Sequence, residues 1–300
     1  MDIRLKPIGE QVLVITGASS GIGLVTAKRA AERGAKVVLA ARSECELAEA
    51  VQKIRDEGGR AIYQVADVAS PEQVEEIANA AVREFGRIDT WVNDAGVARY
   101  GRSMDVSLDD MRRQFDVLYW GEVYGMRTAA SHLARQGGAI INVATALSDR
   151  AVPLPANYCA ARHALAAFTD TLRMELEEEG APISVTLIKP ASIDTPFFDK
   201  AKSYLGVEPR PIPPVYAPEV VAEAILEAAQ RPIRRRSSLY TNAVLHPKRA
   251  ALAAAGLGIA AVAGARALRR RAAHGQLPVH ADQRLAPQGS HALSARSAVD

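Results

Sequence analysis

The segment Thr16-Gly17-Ala18-Ser19-Ser20-Gly21-Ile22-Gly23 carries the clearest chemical meaning in this chain. Its three glycines follow an apolar run, Val12–Thr16, and open a stretch of helical periodicity. A turn of that kind lets the backbone come close to a bound group. It aims the N–H groups of Ser19, Ser20, Gly21, Ile22 and Gly23, and the positive end of a helix, at an anion such as a pyrophosphate. The spacing departs from the commoner Gly-x-Gly-x-x-Gly pattern. A second anion site is readable where the next apolar run ends in Ala40-Ala41-Arg42. No carboxylate stands there to bind ribose hydroxyls, whereas a guanidinium can grip a phosphate through two parallel N–H bonds. The ligand class implied is a dinucleotide with an additional phosphate.

The elements that must position these groups follow from periodicity. Apolar runs at Val12–Thr16, Lys36–Ala41, 61–65, 88–92, 139–144 and Ile183–Ile188, with a weaker one at 238–241, alternate with helical patterns. The helical patterns cover about residues 21–33, 43–57, 71–85, 108–135, 156–179 and 217–230. Runs apolar on both faces suit strands of a parallel sheet covered by helices on each side. The prediction is a doubly wound α/β domain of Rossmann type with a seven-stranded parallel sheet. Gly34, Gly58-Gly59, Gly86, Gly137-Gly138 and Gly180 mark the helix ends.

Composition sets outer limits. With 300 residues, 48% of them apolar, the chain can bury a large core. A formal charge of +3 comes mainly from arginines beyond residue 230, so residues 1–230 give no sign of a nucleic-acid partner. Two cysteines, Cys45 and Cys159, lack metal-ligand spacing and fit a reducing compartment, so the cytoplasm is expected and a metal is not. The division expected is a dinucleotide-binding domain over 1–245, an Ala-rich helix flanked by basic residues over 246–271, and a disordered tail over 272–300. The uncharged run 250–265 is 16 residues long, short of a span, which makes a packing helix the first reading and peripheral membrane contact through 248–271 the second.

Several segments, in order, resemble the short-chain dehydrogenase/reductase family over about residues 10–240. The glycine turn is similar to its cofactor motif. Ala66-Asp67-Val68 is similar to its adenine contact, and Asn93-Asp94-Ala95-Gly96 to its Asn-Asn-Ala-Gly motif. Pro190-Ala191-Ser192-Ile193-Asp194-Thr195 is similar to the segment that closes over the nicotinamide, and Tyr158-Cys159-Ala160-Ala161-Arg162 falls where the family has Tyr-x-x-x-Lys. The resemblance implies a nicotinamide cofactor, which Arg42 makes NADP(H). It assigns cofactor contacts to Gly17, Ser19 to Gly23, Arg42, Asp67, Val68, Asn93, Ala95, Gly96, Tyr158, Arg162, Pro190, Ile193 and Thr195. In the family the tyrosine exchanges a proton with an alcohol oxygen. A free phenol ionises only near pH ~10, so a nearby cation is needed, and spacing of four places Arg162 on the helix face of Tyr158.

Three positions depart from the family's pattern. Arg162 replaces lysine, keeping the charge but not the ability to relay a proton. Thr145, thirteen residues before Tyr158, replaces serine and retains a hydroxyl to hold the substrate oxygen. Leu118, in Phe115-Asp116-Val117-Leu118, replaces an asparagine and cannot hold water. The resemblance alone therefore predicts that Arg162→Lys raises activity. Two readings stand: an NADP(H)-dependent oxidoreductase acting on an alcohol or carbonyl, or a cofactor-binding protein of weak chemistry serving as redox sensor or scaffold. A mobile lid over residues 197–216, with Leu147, Val152 and Leu154, points to an apolar small-molecule substrate. The resemblance also implies a homo-oligomer packed through the helices 108–135 and 156–179. His163, Cys159 and Cys45 are expected to be structural.

Overall fold

The computed structural model describes residues 3–232. Six parallel strands form its main sheet: β1 Val12–Thr16, β2 Lys36–Ala41, β3 Arg60–Val65, β4 Thr90–Asn93, β5 Gly138–Val143 and β6 Ile183–Ile188. Their order is β3-β2-β1-β4-β5-β6. The seventh strand expected at 238–241, the helix at 246–271 and the tail at 272–300 lie outside the described residues. Strand β4 starts two residues later than expected. Asp89 spends its carboxylate on the Val12 N–H at 2.9 Å and on Arg87, so the ladder opens at Thr90.

Alternation along the strands feeds two cores. Leu13, Ile15, Val37, Leu39 and Ile141 face α1 (Gly21–Glu32), α2 (Glu44–Asp56) and α7 (Pro218–Gln230). Val14, Val38, Trp91, Ile140 and Val185 face the other way, toward α3 (Pro71–Phe85), α5 (Gly121–Leu133) and α6 (Ala156–Glu179). Each large side chain so enclosed contributes about 1.5–3 kcal/mol. The order in which successive strands are added to the sheet reverses between β1 and β4. The crevice at their carboxyl ends is where an open α/β sheet binds its ligand.

The helix expected over 108–135 is built in three parts: α4 (Leu108–Phe115), one π-helical turn at Asp116–Trp120, and α5. Such turns admit an extra residue and gather at functional sites. Helix α5 then packs unusually close to the sheet because it carries glycine on the buried side. A Cβ on Gly125 would stand 2.2 Å from Asn93 Oδ1 and 2.8 Å from Trp91 Nε1. Gly125→Ala should therefore destabilise the fold by about 1–3 kcal/mol, against the gain of about 1 kcal/mol that Gly→Ala brings in an open helix. Urea unfolding reads the sign, and a stabilised variant would refute the close packing. Among the described residues, no helix is long and apolar enough to cross a membrane.

Candidate functional site

The glycine turn joins β1 to α1 at the crevice. Gly17 has φ +72°, and a Cβ there would lie 2.8 Å from the backbone of Ala95. The loops after β1 and β4 thus touch through their main chains, tied by Thr16 Oγ1, which accepts the N–H groups of Asp94 (3.2 Å) and Ala95 (3.4 Å). Ser20 caps α1 without a side-chain capping bond, so the first-turn donors of Gly21 and Ile22 face the crevice for a ligand. A Cβ on Gly23 would fill the cradle, 2.8 Å from Gly17 O and 3.0 Å from Asp94 Oδ2. This arrangement of bare backbone and helix terminus suits a pyrophosphate.

The remaining predicted contacts ring the same crevice. Arg42 is exposed just past β2 and has no ion-pair partner among the described residues. Asp67 follows β3, pairs with Arg113 at 2.6 Å and accepts the Ala69 N–H at 3.0 Å, while Val68 is buried. Ser70 caps α3, its side chain accepting the Gln73 N–H. Asn93 turns away from the crevice. Its amide donates to Asn142 Oδ1 (2.8 Å) and accepts from Trp91 Nε1 (2.8 Å), so its side chain bridges the strands. Beyond β6, Pro190 O accepts the Ala146 N–H at 2.9 Å, Ile193 is buried, and Thr195 lies over Gly21. Gly96 faces Phe197 and the Arg162 guanidinium.

Tyr158 and Arg162 share one face of α6, with Arg162 Cζ 5.5 Å from the Tyr158 ring centroid. Thr145 ends the loop after β5, where its Oγ1 accepts the Leu147 N–H at 3.3 Å and keeps a hydrogen to donate. Leu118 is fully buried in the π-helical turn. The residue that sequence reasoning missed is one turn further on: Glu122, buried, ion-paired with Arg162 through Oε1 and Nη1. Burial pushes its carboxyl up to about 7 despite the pull of Arg162. Burial also works against the charge of Arg162, but Glu122 and the Tyr158 oxygen outweigh it, so the guanidinium holds its proton more firmly than in water. Asp94 completes the cluster. Burial lifts its carboxyl to about 8, opposed by Arg162 and assisted by Glu122. A signal for Glu122 existed: it interrupts the otherwise apolar stripe Leu118, Met126, Ala129, Leu133.

Aromatic side chains gather on one side of the half-buried phenol. Phe197 lies 6.0 Å from the Tyr158 ring, Phe198 lies 6.4 Å from Tyr100, and burial pushes the Tyr100 hydroxyl up to about 12. Leu154, at φ +83°, holds a backbone conformation costly for a branched side chain beside this pocket. The segment 197–216 is stitched down at both ends. Lys202–Ser203 pairs with Arg99–Tyr100, and Val215–Tyr216 pairs with Ser192–Ile193. Asp110, also missed from sequence, gathers Arg99 (2.8 Å), Lys202 and the Tyr204 hydroxyl onto one carboxylate, which those partners hold well below the usual range. Lys200 reaches Glu46 of α2 at 3.1 Å, and Glu46 also engages Ser19. His163 contacts the Cys159 carbonyl at 2.8 Å on the same helix, and Cys45 is exposed on α2 with its thiol 3.6 Å from Glu49.

Comparison with known proteins bears on the same residues. The family model for short chain dehydrogenases matches residues 11–205. Uncharacterized oxidoreductase YxnA of Bacillus subtilis is 51% identical over 235 residues, covering 77% of this chain and 66% of that protein, just under two thirds of its length. An 11-beta-hydroxysteroid dehydrogenase A of Sesamum indicum is 33% identical over 237 residues, covering 75% and 67%. Among solved structures, an alcohol dehydrogenase from the archaeon Thermococcus sibiricus, complexed with 5-hydroxy-NADP, superposes with a TM-score of 0.65 at 25% identity, covering 76% of this chain and 94% of that one.

Proposed function

This chain belongs to the short-chain dehydrogenase/reductase family and is an oxidoreductase, and from that premise we propose that it interconverts an alcohol and a carbonyl on an apolar substrate with NADP(H). The observation that carries the reading is the pairing of Tyr158 with a fixed cation, Arg162, beside the ring of Phe197. NADP(H), when bound, supplies or receives the hydride. It would be held by Gly17 and the turn from Ser19 to Gly23, by Arg42, Asp67, Val68, Ala95, Gly96, Pro190, Ile193 and Thr195, with Asn93 bracing the loop from behind. In the reducing direction Tyr158 gives its proton to the carbonyl oxygen, and Thr145 donates a hydrogen bond to the same oxygen. Arg162 stabilises the negative charge that develops on the phenol oxygen.

The preference for NADP(H) is supported by the exposed Arg42 and by the neighbour crystallised with an NADP derivative. The nearby Glu46 carboxylate is engaged by Lys200, which lessens its repulsion of a phosphate. An apolar cyclic alcohol or ketone is supported by the aromatic lining and by the relative named for a hydroxysteroid. The same reading makes the protein cytoplasmic and a homo-oligomer, and the second of these is supported by Trp120, exposed on the helix pair and stacked on Tyr124. Fluorescence titration with NADPH and NADH, followed by a panel of carbonyls with the Tyr158→Phe protein as the blank, tests it. Tighter NADPH binding and turnover in the parent alone are expected. Equal or tighter NADH binding would overturn the cofactor reading, and turnover equal to the blank would overturn the chemistry.

A further inference from the structure

Glu122 has no task in the proton transfer just described, yet it is 1% exposed and its partner Arg162 is 3% exposed. A buried ion pair is seldom a net source of stability, since apolar residues of like volume often serve as well. The pair is also incompletely satisfied. Glu122 Oε2 and Arg162 Nε are buried without a hydrogen-bond partner among the described residues. Around Glu122 the buried side of α5 is Val123, Met126, Ala129 and Leu133, a surface that would accept leucine. The backbone at Glu122 is fixed as well, its carbonyl accepting from Asn93 Nδ2 at 3.4 Å.

An arginine stem is long, and two acids compete for its charge. Asp94 attracts Arg162 from the loop after β4, toward the glycine turn, while Glu122 holds it from α5. Gripped at Nη1 by Glu122, the guanidinium lies beside the Tyr158 ring. We propose that Glu122 is the positioning residue of the proton-transfer site, holding Arg162 against Tyr158 and setting, through its own negative charge, how much of that cation the phenol feels. This rests on the reading of Tyr158 as acid and base. The other titratable groups facing this point are Asp94, Tyr100 on its short strand, and Cys159 on α6.

Two substitutions separate holding from charge. Glu122→Gln keeps an oxygen to accept from Nη1 but removes the negative charge. Glu122→Leu removes both. The readout is tyrosinate absorbance against pH in the protein without cofactor, with the Tyr158→Phe trace subtracted to isolate one phenol. In Glu122→Gln the Tyr158 midpoint should fall by about one pH unit, because the cation is no longer offset. In Glu122→Leu it should rise, because the guanidinium is released toward Asp94, and kcat should drop by about tenfold to a hundredfold with little change in KM. Glu122→Asp should restore part of both. An unmoved midpoint in a folded Glu122→Gln protein would overturn the proposal. Should Glu122→Leu fail to fold, the Gln and Asp variants still decide it. Absence of turnover on every carbonyl would sink the acid-base reading, while the absorbance midpoints would still judge Glu122.

Discussion

An Arg162→Leu variant is expected to lose about 3–5 kcal/mol of stability and on the order of 10 °C in Tm, with turnover down by about 10²–10⁴. The cause is the carboxylate left behind. Glu122 is enclosed by α5, α6 and the sheet, and burial already pushes it up to about 7 with the guanidinium beside it. Without that partner it must either hold a proton or carry an uncompensated charge in a dry interior. Arg162→Leu should therefore recover stability as the pH is lowered. Combining it with Glu122→Leu should return the fold close to parental stability without returning activity, because an apolar pair can replace a buried ionic one. Arg162→Lys is the instructive intermediate. The family pattern alone predicts that lysine raises activity, and the buried pair reverses that expectation. A compact ammonium on a shorter reach gives up the planar fork that serves Glu122 and Tyr158 together, so activity should fall. Urea unfolding of the four proteins, with kcat on one carbonyl substrate, checks the set. An Arg162→Leu protein as stable as its parent at pH ~8 would refute the argument.

The second large effect is on pH. Stability of the protein without cofactor should decline as pH rises from about 5 to about 8, by on the order of 6 kcal/mol. Burial lifts Asp94 from an ordinary 3.8 to about 8, and Glu122 from 4.5 to about 7. Across that window the folded chain keeps protons that the unfolded chain has already released. Raising the pH therefore favours unfolding, and the stabilisation is complete only below the unfolded values. Asp110, Glu46 and Glu223 act in the opposite sense. Ion-pair partners hold them below the usual range, so their contribution is lost only on the acid side. Asp94→Asn should flatten most of the slope. It should also remove a fall in NADPH affinity above pH ~8, since the ionised carboxylate stands against Gly23 in the pyrophosphate cradle. Denaturant midpoints at about pH 5.5, 7 and 8.5 measure it, and a flat or rising profile would contradict the assignment.

What could be read from the chain was whatever is local or periodic. Runs such as Lys36–Ala41 announce buried parallel strands because both faces are apolar, and Gly86 stops α3 because the left-handed turn there suits glycine. The glycine turn was legible because its function needs an absence of side chains. The gripping of Arg162 was not, because it depends on two residues 40 positions apart and on how closely α5 approaches the sheet. A lone glutamate in a helical stretch ordinarily marks a solvated face. Only Gly121 and Gly125, with no Cβ to keep the helix at a distance, carry Glu122 inward. Asp110 was hidden for the same reason, as its three partners come from two separate stretches of chain, Arg99 from one and Lys202 and Tyr204 from the other.

The π-helical turn at Asp116–Trp120 has a consequence in rotational phase. An α-helix advances about 100° per residue, so an extra residue in one turn twists everything after it by about that angle relative to everything before. Helices α4 and α5 are therefore offset segments, each with its own bearing on the core. A chain one residue shorter in this turn would keep Tyr158, Arg162, Glu122 and Asp94 unchanged and still swing the glutamate a quarter-turn away from its partner. The active arrangement is stored in the count of residues as much as in their identities.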